Sequence, residues 1–538
     1  MEKNISTVII NTLLLFFLAT GCSKGENPTI KEEPILPQVD VSKITTVDGK
    51  SFLSVDGIPF PLLGAQVRLD ALLNCDKYSI SQVEDYFVKA QALGVNCLQI
   101  PIWWNLIEPQ KNSFSFEVVD KILEYAVHYK IKIELLWFST NMCGDSFTYL
   151  TPQYIMNEPG KKFRRDNEGD FWDYYGYIYL LNLNDAWVIE RETNAITKLF
   201  NHIHVWDERN GNTHPVITAQ IHNEPDILVR WRIDQYHIKG LGGSPMSKEY
   251  AWRMVTDAVD KVGQAVQTSS YKVATRVNLV RANRVNGFPE YPAGSPHDIH
   301  KLTGIDFVSF DPYVTTLEIL KPEILAYKSL PENYPLVAEN KGSYENTPSL
   351  ILASVALGSG YNIYDLATSK FFIDHTSEPD NIDHGVYTWN LQEKDHTPAV
   401  QKILKGLVLA APVVAKTRTE NFVAFNVKTN TPVQQVTQDI RSEHLQLTFS
   451  TLDAALGFAI DDKNAVYIYV TDNATISLSN ATFGAVETGK FNSKGNFIKE
   501  GDAKLDVNQL NPIPGILYKI PYSGATPQTS SVESFIGK

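Results

Sequence analysis

The chain has 538 residues, 43% hydrophobic and 20% charged, too long for one ordinary domain and neither disordered nor fibrous in composition. A formal net charge of -13 argues against nucleic acid as a partner, because phosphate binding needs clustered Lys and Arg to displace counterions. Aromatic residues make up 11%, which suits the apolar face of a sugar but is equally the stuff of an ordinary core.

Taken in chain order, the first element is Lys3 followed by an apolar run from Val8 to Leu18. That length suits a signal-peptide core and is too short to span a bilayer. The run ends Leu18-Ala19-Thr20-Gly21-Cys22, which resembles a bacterial lipobox with Ala where Leu is more usual. The resemblance implies cleavage after residue 21 and a lipid on Cys22; a plain signal peptide that happens to contain a Cys is the other reading. Residues 1–22 therefore read as the signal segment. Residues 23–44, with Pro28, Pro34 and Pro37 among several charges, read as a solvated tether. The remaining Cys75, Cys97 and Cys143 have no metal-ligand spacing and read as small buried apolar residues.

Residues 45–412 carry the pattern of an α/β domain. Two Asp-Gly turns, at Asp48-Gly49 and Asp56-Gly57, flank a short alternating run and predict a hairpin forming a lid over one end of this domain. Short β-type runs then alternate with helical spacing: Leu62–Val67, Cys97–Ile102, Ile131–Phe138, Val216–His222, Lys272–Val277, Phe307–Phe310, Leu336–Glu339 and Asn362–Leu366. Val83, Phe87, Ala90 and Leu93 mark one of the intervening helices. Eight such units predict a (β/α)8 TIM barrel with long loops. A doubly wound open sheet is the alternative, although no glycine-rich phosphate loop comes after an early strand. Residues 415–523 change character to short strands among Asn, Asp, Gly and Thr clusters, predicting an antiparallel β-sandwich. The tail, 524–538, is Ser/Thr-rich.

The chemistry is concentrated at strand ends. Thr218-Ala219-Gln220-Ile221-His222-Asn223-Glu224-Pro225-Asp226 is an apolar strand ending abruptly in polar residues. Such residues at the C-terminal end of a barrel strand face the active-site side, and burying them unpaired would be costly. Pro335-Leu336-Val337-Ala338-Glu339-Asn340 ends the seventh strand in the same way. Trp103-Trp104-Asn105-Leu106-Ile107-Glu108-Pro109 and then Asn112-Ser113-Phe114-Ser115-Phe116 come after the second.

These three segments resemble the clan A retaining glycoside hydrolases, and in particular the β-galactosidases of families 35 and 42. The likeness extends over roughly residues 45–410, with Asn112 standing where glycine is usual. It implies Glu224 as acid/base, Glu339 as nucleophile and Asn223 as a contact to the sugar 2-hydroxyl. It further implies that Glu224 is protonated and Glu339 ionised in the free enzyme. Substrate-binding candidates are Trp103, Trp137 and Asn141 at the second and third strands, Tyr313 after the sixth, and Trp389 after the eighth. Trp104 and Glu108 either touch sugar or brace their loop. Arg68 is either a cation serving Glu339 or half of a surface salt bridge. His222 reads as an orienting partner rather than a ligand. No cofactor and no catalytic metal is expected. The insertion from Gly144 to Trp187, rich in aromatics, is expected to wall one side of the pocket.

The functional expectation is an exo-β-galactosidase on the bacterial cell envelope, reaching the membrane only through its lipid anchor and taking an oligosaccharide or polysaccharide substrate. Another β-glycosidase, an endo-glycanase, a transglycosylase and a noncatalytic glycan-binding lipoprotein remain open.

Overall fold

The computed structural model describes residues 37–142, 149–163, 180–235, 237–240, 242–280, 294–375, 383–427, 436–452, 454–492 and 494–525. Cys22, Cys143 and residues 144–148 and 164–179 of the Gly144–Trp187 insertion therefore lie outside the described residues.

Eight parallel strands close on themselves: β1 (Leu63–Gln66), β2 (Cys97–Trp103), β3 (Lys132–Met142), β4 (Val216–Asn223), β5 (Ala274–Val280), β6 (Phe307–Asp311), β7 (Leu336–Lys341) and β8 (Gly360–Tyr364). The ring is completed by β8 pairing with β1, Tyr361 beside Leu63 and Ile363 beside Ala65, which disposes of the open-sheet alternative. Nearly every strand residue is buried, because one face looks into the barrel and the other lies under helices. That double burial explains why the strands read as apolar runs rather than as alternation. The helix Glu84–Leu93 buries Tyr86, Phe87, Ala90 and Leu93, and Gly94 ends it with φ 88°, a left-handed cap that favours glycine.

The barrel interior is not wholly apolar. Glu134 on β3 and Arg276 on β5 are both fully buried and paired at 2.5 Å. Gln99 donates to Glu134 at 2.8 Å, Asn362 donates to it at 3.1 Å, and Arg276 donates to Ser309 at 2.8 Å. This layer is charge-balanced and hydrogen-bonded across five strands.

The N-terminal segment is a three-stranded antiparallel sheet, Ser42–Val47, Lys50–Val55 and Ile58–Phe60, rather than one hairpin, since both Asp-Gly pairs make turns with positive φ at Asp and Gly. It covers the end of the barrel where strands begin: the Ser42 hydroxyl donates to the carbonyl of Ile217 and accepts from the amide of Ala274. The expected lid is thus a plug at the face opposite the strand C-termini.

Beyond residue 422 two antiparallel sheets, of seven and four strands, share a core that includes Phe425, Phe449, Ile468 and Ile476. The larger sheet also packs on the barrel. Tyr469 lies so close to Gly406, on the helix Thr397–Leu409, that a Cβ there would fall 2.3 Å from its ring, and its hydroxyl donates to the Lys402 carbonyl. Of the cysteines, Cys97 is buried as expected, whereas Cys75 is only half-buried.

Candidate active site

The two glutamates stand at the same end of the barrel. Glu224 comes directly after β4 and Glu339 lies near the end of β7; they are 7% and 5% exposed. Both Glu339 oxygens are held: Oε1 accepts from the Gln66 amide at 3.1 Å, and Oε2 accepts from the Tyr313 hydroxyl in a very short hydrogen bond. Tyr313, expected among the substrate contacts, is thus bonded to Glu339.

Glu224 is held through its backbone and through Asn223. Its amide donates to Asn278 Oδ1 at 3.2 Å, and the Asn223 side-chain amide donates to its Oε2 at 3.3 Å. His222 and Glu224 have φ of 57° and 44°, and Tyr313 has φ of 46°. Left-handed backbone at a residue with a side chain costs about 1–3 kcal/mol and persists only where surroundings over-determine it. Three such residues stand at or just past the ends of β4 and β6.

His222 is locked from behind. Its Nε2 lies 2.8 Å from Glu192 Oε1, which also accepts from the Trp137 indole at 3.1 Å. Burial opposes the Glu192 carboxylate, but the charge and hydrogen bond of His222 together with hydrogen bonds from Ser139 and Trp137 outweigh it and hold the group below the ordinary glutamate range. Trp137 is fully buried in this arrangement, so its expected place in sugar binding is corrected: its polar edge serves Glu192 and no ring face is left open. Trp103, 3% exposed, is likewise a packed residue rather than an open platform.

The second-strand segment braces its loop. Glu108 accepts from the Trp104 indole, the Asn112 amide and Arg191. Asn112 has φ 63°, which explains why glycine suits that place and why Asn, which tolerates left-handed backbone, can replace it. Asn141 ends in β3, but its side chain lies outside the described residues. Trp389 is 39% exposed, its ring 5.6 Å from the Lys370 ammonium, and its described contacts include neither carboxylate. The segment's expected sugar platform is thus at the surface.

Arg68 is buried, not a surface cation. It binds Asp70 through two hydrogen bonds of 2.9 and 2.7 Å, and its charge still reaches Glu339. Burial pushes the Glu339 carboxyl above the ordinary glutamate range; the Tyr313 hydrogen bond, Arg68, Gln66 and Arg276 oppose that rise without cancelling it. The expected cation is present, and desolvation exceeds it.

Four residues escaped the sequence reading: Gln66, Arg276, Asn278 and Asp311. Gln66 and Asp311 end their strands and Arg276 and Asn278 lie within β5, all buried, and polar residues in such runs are the signal that could have found them. Asp311 is fully buried, and burial first, then the charges of Glu339 and Glu224, raise its carboxyl well above the usual carboxylate range. Tyr364, ending β8, packs edge-on to Tyr313 at 5.8 Å and against His384 at 5.4 Å.

Two family models match parts of the chain, both described as domains of unknown function: DUF4978 over residues 254–432 and DUF4969 over residues 1–71. No curated protein matches. Among solved structures, the β-galactosidase of the psychrophilic Marinomonas ef1 is 13% identical with a TM-score of 0.43, covering 64% of this chain and 59% of that one. The β-galactosidase of the Antarctic haloarchaeon Halorubrum lacusprofundi is 12% identical, TM-score 0.44, covering 69% and 59%. An exo-β-1,4-mannosidase from Opitutaceae bacterium strain TAV5 is 13% identical, TM-score 0.44, covering 70% and 64%. The match spans less than two thirds of each of these chains. At such identities and scores the likeness says nothing of substrate. What the chain shows by itself is a closed eight-stranded parallel barrel whose strand C-termini gather two glutamates, a buried aspartate and a tyrosine.

Proposed function

We propose that this chain is a retaining glycoside hydrolase that removes terminal β-linked sugars, with β-galactosides as its substrates. The observation that carries the reading is the pairing of Glu224 and Glu339 at the ends of β4 and β7, each with its own polar partners. Glu339 attacks the anomeric carbon while Glu224 protonates the departing oxygen, giving a covalent glycosyl ester. Glu224, now ionised, takes a proton from water as it attacks, and the ester is hydrolysed with the original anomeric configuration. Retention by this route requires the carboxyls about 5–5.5 Å apart. Tyr313 and Gln66 hold the Glu339 oxygens in place for the attack. The segment from Lys3 to Cys22 supports export and attachment of a lipid to Cys22, so that the enzyme works on glycans at the cell envelope.

The test is a panel of p-nitrophenyl α- and β-glycosides against the protein lacking residues 1–22. Release from the β-galactoside alone supports the whole reading. Release from a β-glucoside or β-mannoside instead keeps the hydrolase and moves the sugar. Failure to cleave any aryl glycoside or longer β-glycan refutes hydrolysis and leaves a glycan-binding protein. For the anchor, Cys22→Ser is expected to abolish incorporation of labelled palmitate; unchanged labelling would overturn it.

A further inference from the structure

Asp311 is a full carboxyl group set between two others, at a position with no exposure to solvent. A third carboxyl there repels the charge the site needs, so its presence calls for a role. Its Oδ2 accepts from the Asn278 side-chain amide at 2.7 Å. The same Asn278 nitrogen donates to Asn223 Oδ1 at 2.9 Å, and Asn278 Oδ1 accepts from the Glu224 backbone amide. Asn223 Oδ1 takes a second donor, the Gln220 amide, at 2.9 Å.

These bonds form a chain with a direction. An amide side chain can present either its oxygen or its nitrogen to a neighbour, since both fit the same space. Oδ2 of Asp311 accepts from the nitrogen of Asn278, as an ionised carboxylate must and as a carboxyl protonated on Oδ1 does. The Glu224 backbone amide, which can only donate, takes the Asn278 oxygen, so Asp311 and that amide together set the Asn278 polarity and give Asn223 Oδ1 a donor. Asn223 is thereby obliged to turn its own nitrogen outward, beside Glu224 Oε2. A proton on Asp311 is compatible with this arrangement when it sits on Oδ1, which has no hydrogen-bond partner among the described residues.

We propose that Asp311 is a positioning residue that fixes the amide polarity of Asn278 and, through it, of Asn223, so that Asn223 presents N–H to the sugar hydroxyl neighbouring the anomeric carbon. The inference rests on the hydrolase reading above. It assigns to β6 a function distinct from that of Tyr313 two residues later: Tyr313 serves the nucleophile, and Asp311 serves the substrate-facing amide beside the acid/base.

Asp311→Asn tests it, because the substitution keeps the volume and can present either end of an amide to Asn278. On the aryl β-glycoside that the wild type turns over best, the variant is expected to lose about 10- to 100-fold in kcat/KM, mostly in kcat, since an oriented donor acts most strongly in the transition state. On the matching 2-deoxy glycoside, which lacks the hydroxyl, the loss is expected to shrink to less than about threefold. Adding Asp311→Asn to Asn223→Ala is expected to cost nothing further, the signature of two residues acting through one contact. Asn278→Asp, which cannot donate to either neighbour when ionised, provides a second variant with the same expected substrate dependence. Equal losses on the two glycosides, or independent losses in the double variant, would overturn the relay while leaving the hydrolase standing. A wild type without activity on any β-glycoside or glycan sinks the hydrolase reading and the relay with it.

Discussion

Two layers of polar residues fill this barrel, and they obey opposite rules. The lower one pairs Glu134 with Arg276 and spends Gln99, Asn362 and Ser309 on satisfying them. The upper one gathers Glu224, Glu339 and Asp311, while the cation beside it, Arg68, is tied bidentately to Asp70. One barrel thus carries a charge-paired network below and an excess of acid above. A buried charge is tolerated where it is paired and hydrogen-bonded, so the lower layer is consistent with a stable fold. Stability alone does not explain the upper layer, where burial raises the Glu339 and Asp311 carboxyls and three residues hold left-handed backbone. Such stored unfavourable energy is the usual mark of a working site.

Substitutions in the two layers should therefore separate activity from stability. The largest expected effect is Glu339→Ala, which deletes the proposed nucleophile and should lower turnover at least about 10³-fold on every substrate. Its melting temperature should be no lower than that of the wild type, because a buried, repelled carboxyl is gone. A melting temperature reduced as far as that of a lower-layer variant would erase the contrast. Glu224→Ala should lose activity on substrates with poor leaving groups and retain much more on activated aryl glycosides, which scarcely need a proton. Similar losses on both would assign Glu224 another role.

In the lower layer, Arg276→Met should destabilise the fold by about 3–5 kcal/mol by leaving Glu134 buried and unpaired. Denaturant unfolding measures this, and Glu134→Gln in the same chain should recover most of the loss. A smaller effect comes from Tyr313→Phe. Removing this hydrogen bond removes a contribution that lowers the Glu339 pKa, so the carboxyl rises further. Ionised Glu339 is then lost at a higher pH, and the acid limb of the kcat/KM profile should move upward; a downward or absent shift would contradict the assignment. Trp389→Ala should change kcat/KM by less than about twofold, given its exposed position beside Lys370. A loss beyond tenfold would return it to the site.

What sequence alone determined was the barrel and the strand ends that matter. Glu224, Glu339 and Asn223 were legible as candidates because each ends an apolar run, and a parallel strand buried on both faces tolerates such a residue only for a reason, whereas Tyr313 was reached through the resemblance. Eight units of alternating period were enough to predict closure. Only the tertiary structure decided which way each side chain turns and what stands across the barrel from it. Trp137 reads as a platform in one dimension and proves to be the support of Glu192, a residue 55 positions away. Asn278 and Asp311 come from neighbouring strands far apart in the chain, and neither means anything without the other. Trp389 comes after the eighth strand, where the resemblance implies a sugar contact, and stands at the surface. Strand patterning is a local property of the chain, set by burial and period. The partners of a buried polar group are chosen by ring closure and strand register, which bring together residues that no sequence spacing relates.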